Sequence, residues 1–220
     1  MNRRNFIKAG AVGALGVTGQ AMGHSERLII SRPTPTEGEG PFYPVVAQKD
    51  KDFDLTKITG NEVESLGERI FIRGDVFDTA GNPVEGATVD LWQANAAGRY
   101  SHPHDPNPAL VDDNFQGWAI VPSGKDGVFR FKTVMPGAYP VGGGWSRPPH
   151  IHFKVTKRGY VELITQMYFP DQALNQVDKL LQKKSKEEQK LMIADRSSDK
   201  SDTFYFRIIV TIQRNFNKKT

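Results

Sequence analysis

A chain of 220 residues, 38% hydrophobic and 25% charged, has room for one globular domain with a sizeable core plus an additional segment. It contains no cysteine, which excludes disulfides, thiolate zinc sites and iron–sulfur clusters. The formal charge of +4 falls to +1 once Arg3, Arg4 and Lys8 are removed with residues 1–21, so the basic balance gives no case for a nucleic-acid partner.

The chain opens with Asn2-Arg3-Arg4-Asn5-Phe6-Ile7-Lys8, followed by a small-residue, apolar run from Ala9 to Ala21 without an acid. This is the layout of a secretory signal, and the paired arginines ahead of Phe6 are of the twin-arginine type. Residues 1–23 are therefore expected to be an export signal, cleaved after Ala21 or Gly23, with the mature protein periplasmic or extracellular. The run is too short and too glycine-rich for a stable span, so no membrane insertion is expected after cleavage. Twin-arginine export carries folded proteins, often with a cofactor already inserted, which suits a metalloprotein. Cleavage after Gly23 would also make His24 an N-terminus, where amine and imidazole offer copper a site.

Residues 24–67 are polar and rich in Pro, Gly and charge, and read as an extended N-terminal segment. A dense run of turn signals, Thr34-Pro35-Thr36-Glu37-Gly38-Glu39-Gly40-Pro41-Phe42-Tyr43-Pro44, lies within it. From Glu68 onward the pattern changes to short strands, expected at 69–77, 87–94, 117–122, 128–134, 150–157, 161–169 and 204–213. The turns Asp78-Thr79-Ala80-Gly81-Asn82-Pro83 and Ser123-Gly124-Lys125-Asp126-Gly127 separate two pairs of them. One helix is expected after the sixth strand, with Leu174, Val177 and Leu181 on one face and a charged continuation to about Ile193. The fold class is all-β: an antiparallel β-sandwich over 68–220, with an extended N-terminal segment and one helix on the C-terminal side. The Arg73–Val89 strand–turn–strand pattern alone also fits a non-enzymatic binding module of the carboxypeptidase-regulatory or transthyretin-like kind.

The chemistry concentrates in Trp145-Ser146-Arg147-Pro148-Pro149-His150-Ile151-His152-Phe153. On a strand, residues i and i+2 share a face, so His150 and His152 can reach one metal ion while Ile151 and Phe153 turn into a core. An H-x-H pair supplies only two ligands, and the missing donors must be oxygens or other histidines. His102 and His104 form a second pair, but Pro103 between them makes that stretch a loop. Tyrosine is the remaining candidate, because a hard trivalent cation favours the phenolate. Spacing by itself does not prefer Tyr100 or Tyr139 over Tyr43, Tyr160, Tyr168 or Tyr205.

The motifs Trp92-Gln93-Ala94-Asn95-Ala96-Ala97-Gly98-Arg99-Tyr100, Asp113-Asn114-Phe115, Phe131-Lys132-Thr133-Val134-Met135-Pro136-Gly137-Ala138-Tyr139-Pro140 and Arg147-Pro148-Pro149-His150-Ile151-His152-Phe153 occur in this order. Together with Leu163-Ile164-Thr165-Gln166-Met167-Tyr168-Phe169 and Glu39-Gly40-Pro41-Phe42-Tyr43, this series resembles the intradiol ring-cleavage dioxygenases; the protocatechuate 3,4-dioxygenase branch looks closest. The resemblance covers roughly residues 33–170. It implies a mononuclear non-haem Fe(III) held by Tyr100, Tyr139, His150 and His152, with Tyr139 also taking part in catalysis. It implies Arg147 as an active-site arginine, with Gln166 and, beside Arg147, Trp145 near the substrate. The implied reaction joins O2 to a small aromatic diol, protocatechuate-like, and opens the ring to a cis,cis-muconate-type diacid. Members assemble with copies of themselves or with an unlike chain, and either partner is compatible with this sequence.

Overall fold

The computed structural model describes residues 32–213, so the expected signal segment and His24 lie outside the described residues. Two four-stranded sheets pack face to face. The first contains β1 (Arg69–Asp78), β4 (Val128–Val134), β9 (Asp195–Arg196) and β10 (Thr203–Val210), in the order β4-β1-β10-β9. The second contains β2 (Thr88–Trp92), β3 (Trp118–Pro122), β7 (His150–Thr156) and β8 (Leu163–Tyr168), in the order β3-β2-β7-β8. Strand periodicity explains the packing: in β1, Ile70, Ile72 and Val76 are buried, while the alternate Phe71 and Arg73 are exposed. These inward residues meet Phe129, Phe131 and Ile208 of their own sheet and Leu91, Ala119, Ile151 and Phe153 of the other, forming one core.

The β-sandwich agrees with expectation, but one sheet is not purely antiparallel, because β1 and β10 pair in parallel over eight residues. Strand β10 forms its hairpin with β9 and is joined to β1 by no hairpin, so it can enter beside β1 in the same direction. Close approach at β1 needs Gly74. A Cβ there would run into the Phe129 ring and lie 2.6 Å from the Phe206 carbonyl oxygen.

The expected helix on the C-terminal side is present, but it starts later and is shorter than the spacing of Leu174, Val177 and Leu181 predicts. The stretch forms two 3-10 turns, Ala173–Gln176 and Leu181–Lys183, and then a separate helix α1 (Lys186–Met192). Val177 is 62% exposed, so Leu174, Val177 and Leu181 do not form a buried stripe. The physical reason is competition from side chains. Asp178 Oδ1 accepts the backbone N–H groups of Leu180 and Leu181 and starts a new turn. Ser185 then opens α1 with a capping box, accepting from Glu188 N while Glu188 accepts from Ser185 N.

A further ribbon went unread in the sequence: β5 (Tyr139–Gly142) and β6 (Trp145–Arg147), joined by glycines with positive φ and pairing Tyr139 with Arg147. A proline inside β5 and the glycine run hide its alternation. Residues 32–67 contain no multi-residue strand yet are bound into the sandwich. Thr34 exchanges hydrogen bonds with Ile209, Glu37 N donates to Ile164 O, and Thr165 Oγ1 donates to Pro35 O. Among the described residues, no helix is long and apolar enough to cross a membrane.

Candidate metal centre and substrate cavity

Strand β7 divides its side chains as the H-x-H spacing predicts. Ile151 and Phe153 enter the inter-sheet core, while His150 and His152 lie on the other face, both buried. Register supplies their neighbours: Trp92 on β2 and Gln166 on β8 flank His152, and Tyr168 on β8 flanks His150. The His152 ring stacks on Trp92 with centroids 4.8 Å apart. His150 Nδ1 lies 2.7 Å from the Pro148 carbonyl oxygen, which assigns the proton to Nδ1 and leaves the Nε2 lone pair free.

Two loops carry the tyrosines to this face. In the loop after β2, Asn95 Oδ1 accepts from Ala97 N and Arg99 N, and Asp105 Oδ2 accepts from Tyr100 N at 2.7 Å. Gly98, at φ +81°, lets this loop press on the one before β5; a Cβ there would sit 2.5 Å from the Ala138 carbonyl oxygen. Tyr100 and Tyr139 consequently meet edge to face with centroids 5.6 Å apart. Each phenol oxygen lies 3.5 Å from His150 Nε2. That is long for a hydrogen bond, and close to the separation of ~3.3 Å between two donors each about 2 Å from a shared cation.

The other tyrosines are occupied or distant. Tyr43 donates to Asp90 at 2.7 Å, Tyr160 bridges to Ile212 and Tyr205 is exposed on β10. Tyr168 is adjacent, but its hydroxyl belongs to the hydrogen-bond network of Arg147. His102 and His104 stay in their loop, where His102 Nδ1 accepts from His104 N.

Burial keeps all four converging donors neutral. The Tyr100 phenol is pushed well above its ordinary value by burial and then by neighbouring Tyr139, and Tyr139 is raised mainly by burial. His150 is held well below the ordinary imidazole value by burial, then by the charges of Arg147 and His152. His152 is pushed down to about 3 by burial and then by Arg147. An unfolded imidazole titrates near 6.5, so below that pH the unfolded chain takes up protons that the folded rings refuse. Without a cation, the stability contributed by the neutral His152 ring is full above pH 6.5 and is lost as the pH falls towards 3. The folding constant is therefore expected to drop about tenfold per pH unit through this ring in that window. Urea titrations of metal-free protein between pH 7 and 5 should show this slope, and His152→Gln should flatten it. An unchanged slope in that variant would refute the assignment.

Beside the four donors lies a cavity of about 720 Å³, lined by Tyr139, Trp145, Arg147, His152, Gln166 and the Pro41–Phe42 turn among others. Arg147 is buried and tied down. Its Nε donates to Asp178 Oδ2 at 2.7 Å, and its Nη2 donates to Gln166 Oε1 at 2.6 Å and to the Tyr168 hydroxyl at 2.9 Å. Trp145 lies 5.8 Å away as a cation–π neighbour, while Asp178 holds the guanidinium. Nothing in the sequence around Asp178 marks it, because its partner lies 31 residues away.

The donor set fits a hard trivalent cation. Among the described residues, no group of three or more His, Asp or Glu could hold a metal, so a centre on this face must draw on tyrosine. Two phenolates and two neutral imidazoles offset two of three positive charges, which a buried site tolerates far better than a bare ion. His152 Nδ1 has no hydrogen-bond partner, so the ring is held by stacking and is not tied up in a polar network.

A β-sandwich with two imidazoles and two phenols at one end of a sheet, opening on a cavity that Arg147 lines, defines a small-molecule site with donors suited to a metal ion. The profile of the family described as "Dioxygenase" matches residues 38–211, and the chain belongs to that family, among the intradiol ring-cleavage dioxygenases. The protocatechuate 3,4-dioxygenase beta chain of Burkholderia cepacia is 43% identical over 148 residues, 64% of this chain and 63% of that one. Catechol 1,2-dioxygenase 1 of Acinetobacter lwoffii is 37% identical over 150 residues, 62% of this chain and 46% of that one. The match thus spans less than two thirds of the length of these curated relatives. The solved dioxygenase domain of a dioxygenase–carbohydrate-binding fusion from Streptomyces sp. SirexAA-E superposes with a TM-score of 0.61 at 26% identity. That superposition covers 83% of this chain and 100% of that one.

Proposed function

We propose that the protein is an Fe(III)-dependent intradiol dioxygenase that cleaves a catechol-type aromatic with O2 to a cis,cis-muconate-type diacid. The convergence of the Tyr100 and Tyr139 hydroxyls on His150 Nε2, each at 3.5 Å, with His152 alongside, is the observation that carries this reading. Tyr100, Tyr139, His150 and His152 would hold the iron. When bound, ferric iron supplies Lewis-acid activation of the diol and the electron-accepting centre that lets the ring react with dioxygen.

The chain's own groups account for the rest. Tyr139 lines the cavity, so with iron bound its phenolate oxygen would accept one proton from a hydroxyl of the entering diol. Burial raises the proton affinity of that oxygen, which favours its role as acceptor. Arg147 presents positive charge where negative charge develops on the ring oxygens. Gln166 has its carbonyl committed to Arg147, so its amide N–H groups are what it can offer a substrate. Trp145 and the Pro41–Phe42 turn provide apolar wall around the ring. The relatives' names include both protocatechuate and catechol, and a protocatechuate-like substrate is part of this proposal. Export by a twin-arginine route belongs to the same reading and rests on the pattern of residues 2–21. The binding-module alternative leaves four converging buried donors without a role.

Protein loaded with ferric iron should be wine-red to brown through phenolate-to-iron charge transfer, and Tyr139→Phe should shift that band. Ring-cleaved diacid should form from protocatechuate or another catechol under O2. Colourless protein that retains iron, or a band untouched by Tyr139→Phe, would rule the assignment out.

A further inference from the structure

We propose that Asp178 is the positioning residue of Arg147 and acts through it on the rate of ring opening; this rests on the dioxygenase reading of the site. Asp178 is fully buried, in the connection between the two 3-10 turns. Its two carboxylate oxygens have separate tasks. Oδ2 accepts from Arg147 Nε at 2.7 Å, while Oδ1 accepts from Leu180 N at 3.1 Å and Leu181 N at 2.8 Å.

Arginine has five N–H donors in a rigid fork. Here Nε is committed to Asp178, and Nη2 has Gln166 and Tyr168 as its two acceptors. The Tyr168 hydroxyl keeps one proton to give, with Gln166 Oε1 at 3.2 Å and Asp178 Oδ1 at 3.3 Å as its acceptors. None of these bonds engages Nη1. The fork is therefore pinned along one edge, leaving the other available beside the cavity that Arg147 lines.

Two further features make the carboxylate more than a turn cap. Leu180, whose N–H it holds, also lines the cavity, so one side chain joins that wall to the guanidinium. Glu37 and Asp105 line the same cavity, and an untethered Arg147 would be drawn towards them. Stability alone does not explain the pair, because a buried ion pair is about matched by apolar residues of similar volume. Holding a charged fork in one orientation is a task that apolar residues cannot perform.

The experiment is a double-mutant cycle on the iron-loaded protein, reading kcat, KM, iron content, the visible band and Tm. Asp178→Asn keeps an oxygen for the Leu180 and Leu181 N–H groups and removes the charge facing Arg147. It is expected to lower kcat roughly 100-fold, the scale of an ångström-sized misplacement, while KM changes less than about threefold. Iron content and colour stay at the wild-type level, because none of the four donors is touched. In an Arg147→Ala background, the same change leaves kcat within about twofold and raises Tm, since it removes an uncompensated buried carboxylate. If Asp178→Asn does not fold, Asp178→Glu, which keeps the charge and displaces the fork, should lower kcat at least about tenfold only where Arg147 is present. Equal kcat losses in both backgrounds, or a change confined to KM, overturn the proposal. Wild-type protein that binds iron but opens no ring overturns the dioxygenase reading itself, a result distinct from an additive cycle in an active enzyme.

Discussion

His152→Ala is expected to abolish ferric iron retention, the charge-transfer colour and turnover together. The imidazole lies 5.1 Å, centroid to centroid, from His150 and is stacked on Trp92, with no other residue in register able to replace it. Gln166 sits opposite, but its side-chain oxygen is bound to Arg147. Three donors would remain around a trivalent cation, and alanine leaves the fourth direction open to water. The fold should survive, because the substitution leaves Ile151 and Phe153 in the core untouched. It costs the stacking contact and relieves a buried, unpartnered Nδ1. Iron by elemental analysis, the visible spectrum and product formation should all fall to background while far-UV circular dichroism is retained. A variant that keeps iron and activity would remove His152 from the centre and with it the proposed donor set.

Arg147→Ala should separate chemistry from metal binding. The guanidinium touches no proposed donor through a hydrogen bond, so iron and colour are expected to remain. Removing a preorganised positive group from a desolvated site typically lowers kcat by about 10²–10³. The same variant carries a second, independent signature. It strands the Asp178 carboxylate, which has no side-chain exposure, and loss of one partner of such a buried pair costs roughly 3–5 kcal/mol. The variant should therefore be slow and markedly less stable. Wild-type kcat in a destabilised variant would assign Arg147 a purely structural task. Unchanged stability with lost kcat would mean that the Asp178 pair is not formed.

Local pattern made much of the scaffold legible. The alternation in Arg69–Asp78 and His150–Thr156 is a property of each strand alone, so those strands and their inward faces follow directly from the residues. The start of the helix was misread because Leu174, Val177 and Leu181 have helical spacing, while Asp178 and Ser185 redirect the backbone through their own hydrogen bonds. The ribbon Tyr139–Arg147 escaped because Pro140 and three positive-φ glycines interrupt any alternation.

The candidate centre divides along the same line. The sequence by itself determined that His150 and His152 share a face, that oxygens or other histidines must complete any metal site in a chain without cysteine, and, through resemblance, which family to expect. Only the tertiary structure decided which phenols converge and what holds Arg147. Tyr100 and Tyr139 meet because two loops interlock at Gly98, and Arg147 is oriented by a carboxylate from a distant turn. Strand period is set by neighbouring peptides and can be read along the chain. Loop docking and long-range ion pairs exist only once the two sheets have closed on their shared core.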